Sequence, residues 1–161
     1  MKNVSVLFVC LGNICRSPTA HGVFRQKVAG HGLSDVVTVD SAGTSNYHPN
    51  SPPDARSQAH AANRGYDLSD LRARQIQASD FESFDLVLVM DWDNLAQVKR
   101  ECPPEHQHKV RRFTEFCLQF DSAVVPDPYF GGAEGFEQVL DLVENASEGL
   151  LRHLKSQFTR I

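Results

Sequence analysis

Apolar and polar positions along this chain alternate between two periods. Ser5–Val9 (SVLFV) is a short apolar run, the pattern of a strand buried on both faces of a parallel sheet. A tight loop, Cys10–Arg16, follows it. Ser17 then suits a helix N-cap and Pro18 the first helical position, with Ala20, Val23, Phe24 and Val28 recurring at helical spacing up to Gly30. Val36–Val39 predicts a second strand. Ser51-Pro52-Pro53-Asp54 reads as a capped helix start, with Ala55, Ala59 and Ala62 behind it and Gly65 as the stop. Leu86–Met90 predicts a third strand, followed by a helix around Leu95–Arg100, and Val110–Phe113 a weaker fourth strand. The last helix carries one apolar face of Phe136, Val139, Leu140, Val143, Leu150, Leu151 and Leu154.

Strands alternating with helices predict an α/β fold, a doubly wound sheet with helices on both faces. Its ligand site is expected beyond the carboxyl ends of the strands. No repeat, linker or low-complexity stretch interrupts the pattern, so residues 1–161 are expected to form a single domain. Composition changes this picture little. Apolar residues are 41% and charged residues 22%, which excludes wholesale disorder. The N-terminal apolar run is too short to span a membrane, and the Arg16-Ser17-Pro18 after it does not resemble a signal cleavage site. A cytoplasmic protein without membrane insertion is the expectation. A net charge of −4, with no lysine/arginine stripe, gives no support for nucleic-acid binding.

The 4 cysteines are too few for a disulfide framework in a chain of this length. Catalysis or metal binding is the livelier reading of them, and buried thiols the ordinary one. Cys102 with His106 and His108 has no standard zinc spacing, so a polar surface loop is expected there. Cys10 differs in its context. It stands where a buried strand ends, and the loop after it, Leu11-Gly12-Asn13-Ile14-Cys15-Arg16, runs directly into a helix. The backbone N–H groups of such a loop and first helical turn converge on an anion, aided by the helix dipole. Gly12 gives the turn its freedom, and Asn13 tolerates a left-handed backbone. Arg16 offers a planar fork that matches two phosphate oxygens, which a lysine does not. The same field favours the Cys10 thiolate, to which Ser17 is placed to donate a hydrogen bond. A thiolate held in an anion cradle is built to attack phosphorus.

The segment VLFVCLGNICRSP resembles the signature of the low-molecular-weight protein-tyrosine phosphatase family. The resemblance continues through Ser41-Ala42-Gly43-Thr44, Ala73-Arg74-Gln75-Ile76, Leu88-Val89-Met90-Asp91 with Asn94, and Asp127-Pro128-Tyr129-Phe130-Gly131. These blocks keep the family's order and span most of the chain. The resemblance implies a four-stranded parallel sheet, hydrolysis of phosphotyrosine through a cysteinyl-phosphate intermediate, and no metal or other cofactor. It implies Cys10 as nucleophile, Arg16 as phosphate clamp, and Asp127 as a general acid that next acts as base. On residues alone, a solvated turn aspartate is the ordinary reading of Asp127, although Pro126 and Pro128 stiffen its backbone. Leu11, Gly12, Asn13, Ile14 and Cys15 would contact the phosphate. Tyr129 and Phe130 would form a lip along the substrate's ring, with Tyr47 as the opposite wall. Cys15 is implied as a partner for a reversible disulfide with Cys10. The partners implied are phosphotyrosine proteins, an autophosphorylated tyrosine kinase among them.

Two related chemistries use the same cradle. Arsenate reductases need a further cysteine pair at short spacing, which Cys102 and Cys117 lack. Arginine phosphatases of the family carry threonine where this chain has Ile14, a branched apolar residue that would crowd phosphoarginine. A binding module without chemistry is a third alternative, at odds with Cys10, Arg16 and Asp127 all being present. Trp92 departs from expectation, being a large aromatic where a small or charged residue is expected; packing near the active-site edge and capping the following helix are both open readings of it.

Overall fold

The structure, a computed structural model, describes residues 3–158. Its elements are β1 (Val4–Cys10), α1 (Arg16–Gly30), β2 (Val37–Gly43), α2 (Ala55–Asn63), α3 (Ala78–Ser83), β3 (Leu86–Val89), α4 (Trp92–Glu101), β4 (Val110–Arg112) and α5 (Ala133–Phe158). The strands make a 4-stranded, wholly parallel sheet in the order β2-β1-β3-β4. Side chains of β1 alternate between the two faces, as the pleat requires. Val6, Phe8 and Cys10 join a core with Ala20, Val23 and Phe24 of α1 and Leu140, Val143 and Leu150 of α5. Leu7 and Val9 join a second core with Phe81 of α3 and Val98 of α4. Helices therefore cover both faces, and the doubly wound α/β fold expected from the pattern is the one observed. Phe8 is the pivot of the first core, edge-on to Phe24 at 5.8 Å and to Phe113 at 4.9 Å. Truncating such a phenylalanine costs about 3–5 kcal/mol. Among the described residues, no helix is long and apolar enough to cross a membrane.

Strand order fixes where a ligand can enter. From β1 the chain crosses to β2 on one side, and later to β3 on the other. The carboxyl end of β1 thus lies at the point where the winding reverses, and there the connections splay apart into a crevice.

Several element boundaries differ from those the sequence predicts. β2 does not stop at Val39 but continues to Gly43, because Asp40–Gly43 pair in register with Leu7–Cys10. Helix α1 begins at Arg16, so Ser17 and Pro18 lie inside its first turn rather than at the cap. Ser17 does not cap because its hydroxyl is engaged elsewhere. In α2 the buried residues are Ser57 and Ala61, whereas Ala55, Ala59 and Ala62 face solvent. The capping residue is Asp54, whose carboxylate accepts from the N–H groups of Arg56 and Ser57. α4 starts at Trp92, and the short helix α3 was not predicted.

Candidate active site

The loop between β1 and α1 is fixed from outside by its carbonyl oxygens. Cys10 O accepts from the Thr44 N–H at 2.9 Å, Leu11 O from Ser45 at 2.9 Å, and Ile14 O from Asp54 at 2.8 Å. Carbonyls drawn outward leave the amide side of a loop facing inward, the arrangement of an anion nest. Asn13 adopts φ 56°, which asparagine tolerates and a branched residue does not. The Asn13 side chain points into the protein, where Nδ2 donates to Ser17 Oγ at 2.8 Å and Oδ1 accepts from the Arg74 N–H at 3.0 Å. Beneath the loop, Gly43 ends β2. A Cβ there would stand 2.8 Å from Leu11 O and 3.1 Å from Asn13 N, so the loop rests on the strand only because no side chain intervenes.

Ser17 Oγ lies 3.0 Å from Cys10 Sγ and 3.4 Å from Ala42 O. Ser17 accepts from Asn13, and its one hydrogen is within reach of both the Cys10 sulfur and the Ala42 carbonyl, the sulfur being the nearer. Arg16 is buried, with NH1 donating to Asp91 Oδ2 at 2.7 Å and to Val125 O at 3.0 Å, and NH2 lies 3.8 Å from Asp127 Oδ2. Burial works against the guanidinium charge, but the Cys10 sulfur and the carboxylates of Asp91 and Asp127 outweigh it and hold Arg16 more firmly protonated than usual. Cys15 is also buried. Burial pushes its thiol up to about 12, with a Ser57 hydrogen bond opposing and Asp54 reinforcing, so at neutral pH this sulfur is a thiol. All four cysteines are free.

Above the loop lies a cavity of about 370 Å³, bordered by Cys10, Leu11, Gly12, Ile14, Cys15 and Arg16 on the floor and by Tyr47, His48, Asp127, Tyr129 and Phe130 at the rim. Asp127 Oδ1 accepts from the Tyr129 N–H at 3.0 Å, a turn that holds the carboxylate over the opening. The Tyr129 and Phe130 rings meet edge-to-face at 4.9 Å. A larger depression of about 650 Å³ around Leu118 and Asn145 is lined by none of the predicted site residues and by no cysteine.

Of the residues predicted from sequence, Cys10, Leu11, Gly12, Ile14, Cys15, Arg16, Tyr47, Asp127, Tyr129 and Phe130 all border this one cavity. Asn13 and Ser17 lie behind it, their side chains bonded to each other and to the loop's surroundings. Sequence reading missed three neighbours. Asp91 divides its carboxylate between Arg16 and the N–H of Asn94, capping α4; its signal is its place directly after the buried third strand, on the sheet's functional edge. His48 borders the cavity against Gly12, within a loop that has no periodic pattern. Arg56 stacks over Tyr129, its carbon 5.5 Å from the ring centre, and donates to Tyr129 O at 3.0 Å; nothing in its spacing announces this.

Fold and site together define a class of protein, a parallel α/β sheet carrying a cysteine–arginine loop between its first strand and first helix. Residues 5–160 match the low molecular weight phosphotyrosine protein phosphatase family. A low molecular weight protein-tyrosine-phosphatase of Streptomyces coelicolor is 45% identical over 159 residues, covering 94% of each chain. The human low molecular weight phosphotyrosine protein phosphatase is 42% identical over 138 residues, covering 84% of this chain and 85% of that one. The crystal structure of a protein tyrosine phosphatase from Entamoeba histolytica superposes with a TM-score of 0.93 at 39% identity, covering 96% of this chain and 99% of that one. The chain belongs to the low molecular weight phosphotyrosine protein phosphatase family and is an enzyme of that class, a protein-tyrosine phosphatase.

Proposed function

We propose that the enzyme hydrolyses phosphotyrosine in proteins through a cysteinyl-phosphate, with Cys10 as nucleophile and Asp127 as acid and then base. The observation that carries this reading is the convergence of the Cys10 sulfur, the Arg16 guanidinium and the Asp127 carboxylate on one cavity. The phosphate is held by Arg16 and the amides of Leu11–Cys15, while the ring lies between Tyr47 and the Tyr129–Phe130 lip. In the first step the S–P bond forms as the ester O–P bond breaks, and Asp127 gives its proton to the departing phenolate. In the second, water attacks phosphorus and loses a proton to Asp127, and the S–P bond breaks with Ser17 stabilising the released thiolate. The charge that develops is met by Arg16 and fixed dipoles, so no step calls for a metal or organic cofactor.

Free cysteines and a thiol nucleophile support a reducing compartment, the cytoplasm, and one continuous sheet with a family match over residues 5–160 supports a single phosphatase domain over residues 1–161. The partner class is a phosphotyrosine protein, of which an autophosphorylated tyrosine kinase is one example. The deciding measurement is hydrolysis of p-nitrophenyl phosphate and a phosphotyrosine peptide under reducing conditions with excess chelator. Wild type is expected to be active, Cys10→Ser inactive, and Asp127→Ala slower by roughly 10²-fold, the low end of general acid–base contributions. An inactive wild type, or an active Cys10→Ser variant, would overturn the reading.

A further inference from the structure

Trp92, whose role the sequence pattern leaves open, stacks on Arg112, and Arg112 bonds the segment that carries Asp127. Residues 121–128 form a strap without regular secondary structure between the Phe113–Phe116 turn and α5. A strap of this kind holds its position only through bonds to its surroundings. Ala123 O accepts from Arg112 NH1 at 2.9 Å and from Thr114 Oγ1 at 2.8 Å. Val125 donates to Met90 O at 2.7 Å and accepts from Arg16 NH1 at 3.0 Å. Asp127 follows two residues later, between two prolines that restrict its backbone, so the carboxylate's position follows from where Ala123 and Val125 are pinned.

The two arginines that pin the strap are themselves oriented by neighbours in sequence. Asp91 grips Arg16, and the ring of Trp92 lies under Arg112, whose guanidinium carbon is 4.2 Å from the ring centre. Trp92 is 54% exposed, so core packing does not account for a large aromatic there. A flat ring under a guanidinium fixes the plane of the fork and hence the direction of its N–H bonds.

The geometry points to Trp92 and Arg112 as positioning residues for the acid, acting on Asp127 through the carbonyl of Ala123. This inference rests on Asp127 serving as the general acid. It predicts a loss of activity that grows with how much the leaving group needs a proton. A misplaced acid slows phenyl phosphate, whose phenolate leaves poorly, and spares 2,4-dinitrophenyl phosphate, whose phenolate leaves unaided.

The experiment is kcat/KM on both esters for Trp92→Ala, Trp92→Phe, Arg112→Gln and Arg112→Lys, each also combined with Asp127→Ala. Trp92→Ala and Arg112→Gln are expected to lose roughly tenfold on phenyl phosphate, part of the general-acid effect, and under about twofold on the dinitrophenyl ester. Trp92→Phe restores the rate, because it keeps a ring beneath the guanidinium. Arg112→Lys does not, because it keeps the charge without the planar fork. In the Asp127→Ala background the Trp92→Ala and Arg112→Gln substitutions add nothing further. An equal loss on both esters, a further loss without Asp127, or no loss at all would overturn the inference. If Asp127→Ala itself slows both esters equally, the acid assignment is what fails, and this inference falls with it.

Discussion

Cys10, Asn13, Arg16 and Ser17 are at most 3% exposed, whereas across the same cavity Tyr47 is 72% and Phe130 95% exposed. The phosphate end of the cavity is bonded to β1, β2, α2 and α4 through loop carbonyls and three buried side chains. The ring end is held at a few points, by the strap's contacts at Ala123 and Val125 and by Arg56 at the Tyr129 carbonyl. This division matches the chemistry of the substrate. The phosphate is the same in every phosphotyrosine protein, and its transition state rewards donors fixed in advance. The ring and its flanking residues differ from one partner to another, and a surface that meets them gains from being adjustable. If the comparison holds, substitutions on the floor act on catalysis and substitutions at the rim act on recognition.

Short of removing the nucleophile itself, the largest effect should come from Arg16→Lys. An ammonium cannot bond Asp91, Val125 O and two phosphate oxygens from one plane. kcat/KM on p-nitrophenyl phosphate should fall by about 10²–10³, the scale of losing one preorganised donor to a developing charge. A loss of only a few fold would mean that the floor tolerates a point charge, and the contrast between floor and rim would collapse.

A second effect tests the foundation of the floor rather than its chemistry. His21 of α1 is buried, its Nδ1 2.9 Å from the Ser41 hydroxyl of β2, the strand on which the loop rests. Burial pushes the His21 imidazole down to about 4 from an ordinary 6.5, with Asp40 opposing and Arg25 assisting. Between these values the unfolded chain binds a proton that the folded chain refuses. Stability from this site is therefore complete above pH 6.5 and is lost as pH falls toward 4, by about 3 kcal/mol over the whole window. Denaturant midpoints at pH 7 and pH 4.5 should differ less in His21→Gln, whose amide can still bond Ser41, than in wild type. An undiminished difference would show that carboxylates elsewhere carry the pH dependence.

The same contrast separates what the sequence disclosed from what it withheld. The floor was legible because local rules govern it: an apolar strand, a glycine-bearing turn, a cysteine and an arginine within one loop, and a helix directly after. Apolar periodicity alone located all four strands and the buried face of α5. What it missed depends on distant partners. β2 runs past Val39 because Asp40–Gly43 pair in register with Leu7–Cys10 of β1, a partner that no local pattern of residues 40–43 encodes. Ser17 reads both as a helix cap and as a partner of Cys10, and only the second role is met, its hydroxyl lying 3.0 Å from the sulfur inside the first turn of α1. His48 borders the cavity, and Asp91 and Arg56 hold its Arg16 and Tyr129, from loops and helix starts whose position is set by tertiary bonds.

The smallest effect should come from the rim. Phe130 touches little besides the edge of Tyr129, so Phe130→Ala should leave the denaturant midpoint unchanged, since an exposed ring adds less than about 0.5 kcal/mol to the fold. On p-nitrophenyl phosphate, kcat should stay within about twofold, because the floor is untouched. On a phosphotyrosine peptide, KM should rise roughly three- to tenfold, the loss of one aromatic contact worth about 0.5–1.5 kcal/mol. The informative ratio is between the two substrates. A KM that rises for the peptide alone assigns Phe130 to residues flanking the phosphotyrosine, and an equal rise for both assigns it to the ring. A fall in kcat on the small ester would instead mean that Phe130 transmits strain through Tyr129 to Asp127, and the rim could no longer be treated as independent of the floor.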